Sequence, residues 1–221
     1  MKTLVTMPAH NEVGTIGGVI DGILDALPNA TIIVVCDRCT DGTSRMAMDK
    51  GCTVYRSKLP GLANTFRVEM AMALHHVSDI IVHIDADGQY EPAEIPKLLE
   101  QIDRGYNLVL GNRLSYMPDG MPPSKYIPNK LGALGYSVML NRQLPDVTTG
   151  FRVFTPGVAE LPIKSKYTYT QEQVWRAIKA GYNVKSVPMS FYPRADGKSR
   201  LISSPLNYII RSASDFRRFA L

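Results

Sequence analysis

Asp85-Ala86-Asp87 places two carboxylates two residues apart, directly after an apolar run at 80–84. Residues i and i+2 of a strand point the same way, so both acids would project together from a strand's carboxyl end. Carboxylates that close repel each other unless a cation sits beside them. Mg²⁺ or Mn²⁺ suits such a pair when phosphate oxygens complete the shell. The competing reading is a helix N-cap on a solvated turn. Two more polar clusters also follow apolar runs. Pro8-Ala9-His10-Asn11-Glu12 comes after 4–7, and Asn11 alone would serve as a helix cap. Cys36-Asp37-Arg38-Cys39-Thr40-Asp41-Gly42-Thr43 comes after 31–35. Its Cys-x-x-Cys has redox-pair spacing, but Asp37 beside the first thiol disfavours the thiolate that redox chemistry needs. Zinc needs about four ligands, and no second Cys/His pair stands at suitable spacing.

These clusters need a scaffold that brings them together. Short β-branched runs at 4–7, 31–35, 53–55, 80–84 and 108–110 read as strands. Between them lie helical stripes: Ile16, Val19, Ile20, Ile23, Leu24 and Leu27; then Phe66, Met70, Ala73, Leu74 and Val77; then Ile95, Leu98, Leu99 and Ile102, entered through Pro92. Strands alternating with helices predict an α/β fold, a mainly parallel sheet flanked by helices. Such sheets bind ligands at the carboxyl ends of their strands, where every cluster above falls. The pattern changes after Gly111. Pro118, Pro122, Pro123 and Pro128 predict a long loop over 114–130, then a helix to about residue 140. Residues 151–154 and 184–191 read as strands, and 171–180 as a helix stopped by Gly181.

The chain has 221 residues, 45% hydrophobic and 20% charged, which excludes disordered, collagen-like and low-complexity classes. No apolar run reaches the roughly 18 residues needed to span a bilayer, and no signal-peptide core is visible. Three cysteines do not make a secreted disulfide scaffold. The expected place is the cytoplasm, with a peripheral position on the cytoplasmic face of a membrane. Charge is divided: residues 1–103 hold 8 Lys/Arg against 14 Asp/Glu, and 104–221 hold 17 against 6. An acidic half suits a metal ion, and a basic half suits phosphates or anionic lipid.

Pro8 to Glu12, Asp37 with Asp41-Gly42-Thr43, and Asp85-Ala86-Asp87-Gly88-Gln89 together resemble glycosyltransferase family 2 and its GT-A, Rossmann-like fold. Gly111-Asn112-Arg113, Asp146 to Arg152, Gln171-Glu172 and Arg194-Ala195-Asp196-Gly197-Lys198-Ser199 resemble its dolichol-phosphate mannose synthase, or polyprenyl-phosphate glycosyltransferase, branch. The likeness runs over roughly residues 3–200. It implies that Pro8, Ala9, Asn11 and Glu12 line the nucleoside and that Asp37 accepts a hydrogen bond from the base. Asp85, Ala86 and Asp87 would meet ribose and diphosphate, with Asp85, Asp87 and Gln89 on Mn²⁺ or Mg²⁺. Arg113, joined by Lys130, would hold an acceptor phosphate, while Arg194 and Ser199 would close on the donor phosphates. The chain departs from the family twice: Cys36-Asp37 stands for a paired Asp-Asp, and Pro60-Gly61-Leu62-Ala63 for a Gly-Lys-Gly stretch.

In such a transfer, charge develops on a leaving diphosphate, and a divalent cation with Arg/Lys would stabilise it. A phosphate acceptor is already anionic and needs cations rather than a base. A hydroxyl acceptor needs a carboxylate base, for which Asp146 and Glu172 are the candidates. The bland alternatives are Glu172 as a helix cap and Arg152 pairing with Asp146. The expected catalytic set is therefore Asp87, Arg113, Asp146, Glu172 and Arg194.

Ser204-Pro205 would cap a C-terminal amphipathic helix. Leu206, Ile209, Ile210, Ala213, Phe216 and Ala220 share one face, with Arg211, Arg217 and Arg218 outside it. That helix suits a membrane interface, the body of the domain, a homodimer partner or a membrane-anchor subunit. The expected organisation is one GT-A domain over 1–203, nucleotide-sugar half 1–111 and acceptor half 112–203, followed by the helix at 204–221. The expected reaction is inverting transfer of a hexose from a GDP-mannose- or UDP-glucose-type donor to a polyprenyl phosphate. A hydroxyl acceptor (soluble metabolite, protein or modified nucleic acid) and a non-catalytic nucleotide-binding module are the alternatives. Sequence-specific DNA binding is not expected, because the basic residues are scattered without a recognition helix.

Overall fold

The computed structural model describes residues 2–119, 121–194 and 205–220, without the side chains of 205–211 and 213. Seven strands form one sheet: β1 (Thr3–Ala9), β2 (Thr31–Cys36), β3 (Thr53–Arg56), β4 (Ile80–His83), β5 (Leu108–Asn112), β6 (Arg152–Phe154) and β7 (Val184–Pro188). Their spatial order is β3-β2-β1-β4-β6-β5-β7. All neighbours pair parallel except β6, which runs antiparallel to both β4 and β5. The helices are α1 (Ile16–Ala26), α2 (Thr43–Asp49), α3 (Leu62–His75), α4 (Ile95–Asp103), α5 (Pro123–Leu140), α6 (Pro156–Ala159), α7 (Tyr169–Lys179) and α8 (Pro205–Ala220). The mixed α/β sheet expected from the alternating runs is present.

Strand alternation sorts the core into two layers. Val5, Val34, Val82 and Val153 face α1 and α4, meeting Ile16, Ile20, Ile95 and Leu98. Leu4, Ile33, Ile81 and Phe154 face the other side, meeting Phe66 and Met70 of α3 and Val174 of α7. Helices thus cover both faces, and the strand ends stay open for a site.

Two sequence expectations change. The loop predicted over 114–130 is shorter, because α5 already begins at Pro123. A proline at a helix's first position loses no intrahelical bond, so Pro122-Pro123 starts this helix rather than preventing it. Pro128 lies inside it. The last strand ends at Pro188 instead of 191. The expected C-terminal helix is present as α8, and of the settings open to it the structure shows the body of the domain. Phe216 packs edge-on to Trp175 of α7 at 5.1 Å and to Tyr136 of α5 at 6.0 Å, and Phe219 is buried beside them. Among the described residues, no helix is long and apolar enough to cross a membrane.

Candidate functional site

A cavity of about 980 Å³ opens at the carboxyl ends of β1, β2 and β4. Pro8, Ala9, Asn11 and Glu12 line it from the end of β1, Asp37 from the end of β2, and Asp85, Ala86 and Asp87 from the end of β4. Parallel pairing sets the three ends level: Ala9 lies beside Cys36, and Thr6 beside His83.

The loops after β1, β2 and β4 are tied to one another. Asn11 does not cap α1. It adopts a left-handed backbone and its Oδ1 accepts the Thr40 N–H at 2.8 Å, joining the first loop to the second. Glu12 N–H donates to Thr43 Oγ1 at 2.8 Å, and Thr15 Oγ1 donates to the Ala86 carbonyl at 2.8 Å. Asp37 is buried, and one carboxylate oxygen accepts the Gly61 N–H at 2.9 Å. Gly61 has φ +101°, a conformation that glycine adopts without steric cost. The departure Pro60-Gly61-Leu62-Ala63 therefore presents a backbone donor to Asp37 in place of a lysine.

Cys36 is buried against Ser44, Sγ to Oγ 3.1 Å, and Cys39 Sγ donates to the Ala9 carbonyl at 3.5 Å. A hydrogen bond from Cys39 lowers the Cys36 thiol to about 7. The reverse side of that bond, with burial, raises Cys39. Both are free thiols that brace the second loop.

Burial first, and the neighbouring Asp87 charge second, raise Asp85 to about 6. A divalent cation would relieve both effects, so the pair fits one on chemical grounds. Asp87 Oδ1 accepts the Gln89 N–H at 3.1 Å, while Oδ2 pairs with Arg194. Arg194 also reaches Glu12 at 3.3 Å. Gln89 Nε2 donates to the Tyr192 carbonyl at 3.0 Å, which orients the side-chain amide. Among the described residues, no group of three or more His, Cys, Asp or Glu side chains converges, so ligand oxygens would have to complete the shell. Ser199 lies outside the described residues.

Gly150 sits against Asp85, where a Cβ would lie 2.1 Å from Oδ2. Its N–H is fixed to Tyr90 Oη at 2.8 Å, so the backbone cannot retreat freely. Gly150→Ala is expected to push Asp85 aside and weaken Mn²⁺-dependent nucleotide affinity by about tenfold or more. Overpacking of this kind costs about 1–3 kcal/mol of stability. Calorimetric titration with GDP or UDP, beside a thermal melt, checks both; unchanged affinity would contradict the close approach.

The opposite wall is cationic. Arg113 follows β5 and donates to Asp146 from Nε at 2.8 Å and from Nη2 at 3.1 Å. Nη2 also reaches Thr148 Oγ1 at 2.7 Å, and Phe191 stacks on the guanidinium at 5.2 Å. Burial alone would raise Asp146, but the charge and hydrogen bonds of Arg113 outweigh it, and the carboxyl is lowered. Asp146 is fully buried and accepts from three backbone or side-chain donors besides those guanidinium nitrogens. Asp146 is therefore corrected from candidate base to the carboxylate that aims Arg113. The alternative pairing of Asp146 with Arg152 is also absent. Arg152 is buried and bonds to Gln173 Oε1 at 2.8 Å and to the carbonyls of Thr149 and Thr170.

Glu172 is corrected too. It is fully buried, does not line the cavity, and accepts the N–H groups of Lys164 and Ser165 at 2.7–2.9 Å and Arg176 Nε at 2.7 Å. Nor does it cap its own helix. It holds the loop 163–168, which Arg67 also grips through the carbonyls of Ile163 and Ser165 at 2.7 and 2.6 Å. Asp215 of α8 binds the N–H groups of Lys166, Tyr167 and Thr168 at 2.7–3.2 Å. This anchored loop presents Lys164 and Lys166 to the cavity, two cations that sequence reasoning missed.

Lys130 is the third correction. It does not line the cavity; its Nζ lies over the Tyr126 ring at 5.8 Å. Lys125 and Asn129, one helical turn apart on α5, face the cavity instead. Lys125, Lys164 and Lys166 form no ion pair among the described residues.

The chain is 29% identical over 216 residues to the undecaprenyl-phosphate mannosyltransferase of Micrococcus luteus, covering 91% of this chain and 88% of that one. It is 29% identical over 219 residues to the polyprenol monophosphomannose synthase of Mycolicibacterium smegmatis, covering 92% and 82%. Its fold matches glucosyl-3-phosphoglycerate synthase of Mycobacterium tuberculosis, solved with Mn²⁺, UDP and phosphoglyceric acid, at TM-score 0.75 and 21% identity, over 97% of this chain and 78% of that one. Open strand ends, twin carboxylates and a cationic wall thus agree with the match of residues 4–160 to the model of glycosyl transferase family 2, and the chain belongs to that family.

Proposed function

We propose that the chain moves a hexose from a nucleoside diphosphate sugar to a polyprenyl phosphate, with inversion at the anomeric carbon. The observation that carries the acceptor class is the chemistry of the wall facing the donor loops. Among the described residues lining the cavity, the carboxylates are Glu12, Asp37, Asp85 and Asp87, all on the donor strand ends. The two carboxylates of the second half that a hydroxyl acceptor would need as bases are buried and fully engaged. What faces the donor loops instead is Arg113, Lys125, Lys164 and Lys166. Cations without a base suit an acceptor that is already an anion. The names of both curated relatives support the same class.

In this reading Pro8, Ala9, Asn11 and Glu12 cradle the nucleoside and Asp37 takes the base. Asp85 and Asp87, assisted by Gln89, hold Mn²⁺ or Mg²⁺, which would offset charge on the departing diphosphate. Arg194 exchanges Asp87 for the donor phosphates as the nucleotide sugar enters. Arg113, fixed by Asp146 and Phe191, orients the acceptor phosphate, and Lys125 takes the place that Lys130 was expected to fill. An acceptor phosphate oxygen forms the new bond to the anomeric carbon. The bond from that carbon to the diphosphate oxygen breaks, and its electron pair leaves with the nucleoside diphosphate.

The test is a transfer assay with labelled GDP-mannose or UDP-glucose, Mn²⁺, and either a short-chain polyprenyl phosphate or a panel of hydroxyl acceptors. Transfer to the lipid phosphate is expected, and the product's anomeric coupling by NMR reads the stereochemistry. Transfer only to a hydroxyl acceptor would overturn the reading.

A further inference from the structure

Residues 163–168 belong to no helix or strand, yet charged side chains from three helices take up their backbone polar groups. Arg67 of α3 donates to the carbonyls of Ile163 and Ser165. Glu172 of α7 accepts the N–H groups of Lys164 and Ser165, and Asp215 of α8 accepts those of Lys166, Tyr167 and Thr168. Glu172 lies on the helix that the loop enters, and Arg67 lines the cavity itself. Asp215 does neither: it lies off the cavity, on the last helix of the chain.

Asp215 is the only acidic residue between 205 and 220, where three arginines stand. It is 2% exposed. A carboxylate that buried is costly unless hydrogen bonds satisfy it. Here Oδ2 alone accepts the three backbone N–H groups at 3.0, 2.7 and 3.2 Å and Thr168 Oγ1 at 3.3 Å. Arg218, the nearest cation on its own helix, stands 3.8 Å from the other oxygen. The loop, more than the arginine, satisfies the charge. These N–H groups run directly into α7, which starts at Tyr169. The helix dipole favours a negative charge at that end. Thr168, at the N-cap, makes no capping hydrogen bond of its own.

Packing fixes where Asp215 points. Phe216 and Phe219, one and four residues on, meet Trp175 of α7 at 5.1 and 6.3 Å. One face of α8 thus docks on the middle of α7 and aims a carboxylate at its start. What is held there is cavity wall, because Lys164, Lys166, Tyr167 and Tyr169 line the cavity.

We propose that Asp215 is a positioning residue: α8, through this one carboxylate, fixes the backbone at 166–168 and so sets Lys166 in the cavity wall. That Lys166 then meets an acceptor phosphate rests on the function proposed above; the clamp itself requires no acceptor.

Hydrogen exchange of the full chain, followed by mass spectrometry, reads the amides of 166–168 without any acceptor present. Asp215→Ala is expected to speed their exchange about tenfold or more, since three N–H groups lose their acceptor. Trp175, the chain's single tryptophan, should keep its emission, because the aromatic packing of α8 is untouched. Unchanged exchange would overturn the proposal. With a short-chain polyprenyl phosphate, KM for that acceptor should rise about tenfold in Asp215→Ala, while kcat and GDP or UDP affinity stay within about twofold. Asp215→Asn keeps an oxygen for the N–H groups without the charge and should fall between. Should Asp215→Ala release α8, seen as a red shift of Trp175 emission, the Asn variant decides, and a wild-type KM in it would overturn the proposal.

A double-mutant cycle separates positioning from stability. On a Lys166→Ala background, Asp215→Ala should add less than about twofold to KM, because the side chain it aims is gone. A full further tenfold there, or equal losses of kcat and donor affinity, would make Asp215 merely structural and overturn the proposal. A wild type inert toward the lipid phosphate, with the exchange difference intact, would leave the clamp standing and remove the proposed function.

Discussion

Arg113→Ala is expected to reduce transfer to a polyprenyl phosphate by roughly 10- to 150-fold, with a much smaller change in donor affinity. A charge-assisted hydrogen bond to phosphate is worth about 1.5–3 kcal/mol, at tenfold per 1.4 kcal/mol. The substitution also leaves Asp146 buried without its cation, and breaking such a pair costs about 3–5 kcal/mol of stability. Loss of fold would mimic loss of function, so a second variant is needed. Arg113→Met with Asp146→Leu removes both charges and should recover much of the stability without recovering transfer. Arg113→Lys should rescue only in part, because an ammonium cannot reproduce the two-pronged contact with Asp146. Thermal melts, donor calorimetry and lipid transfer on the same three proteins separate the possibilities. Transfer restored in the double variant would make Arg113 purely structural. Equal losses of donor binding and transfer would move it to the donor side.

Asp87→Asn should abolish most of the gain in GDP or UDP affinity that Mn²⁺ provides, again about 10- to 150-fold for one charge-assisted contact. The amide keeps the shape of the side chain and an oxygen for the Gln89 N–H, so the turn should persist. It loses the charge that both a cation and Arg194 require. Titrations with and without Mn²⁺ give the difference directly. A mutant with unchanged metal dependence would remove Asp87 from the metal site.

The strand-end loops of the first half were legible in the sequence because their signals are local. The runs at 4–7, 31–35 and 80–84 are continuous and β-branched, and in a parallel sheet that pattern leaves little choice of which end carries the loops. Placing Pro8, Asp37 and Asp85 on one cavity needed only that ordering. The second half depends on partners far apart in the chain. Asp146 reaches Arg113 across 33 residues, and Asp215 reaches the 166–168 loop across nearly 50. No periodicity encodes such meetings, so Asp146 reads as reactive in the sequence although it fixes an arginine, while Glu172 reads so because nothing in the sequence shows that it turns back onto the N–H groups of Lys164 and Ser165. Lys130 failed for a different reason. One residue on a helix is a turn of about 100°, so choosing between Lys125, Asn129 and Lys130 required the rotational phase of α5, which its prolines obscured. The antiparallel sense of β6 was equally hidden, because a run of three residues reads the same in either direction.

That strand has a consequence for how the molecule is made. β6 enters between β4 and β5, so the two strands on either side of it, both in the first 112 residues, have no direct ladder with each other. A chain emerging from the ribosome can assemble β1 to β4 early, but β4 then waits with an unpaired edge until residues 152–154 arrive. Long-range closure of this kind is slow, and a waiting edge is a template for pairing with another chain. Residues 1–111 produced alone should therefore aggregate rather than fold as a small nucleotide-binding module. Residues 1–111 and the remainder should then unfold together in one transition, sealed by the last strand to reach the centre of the sheet.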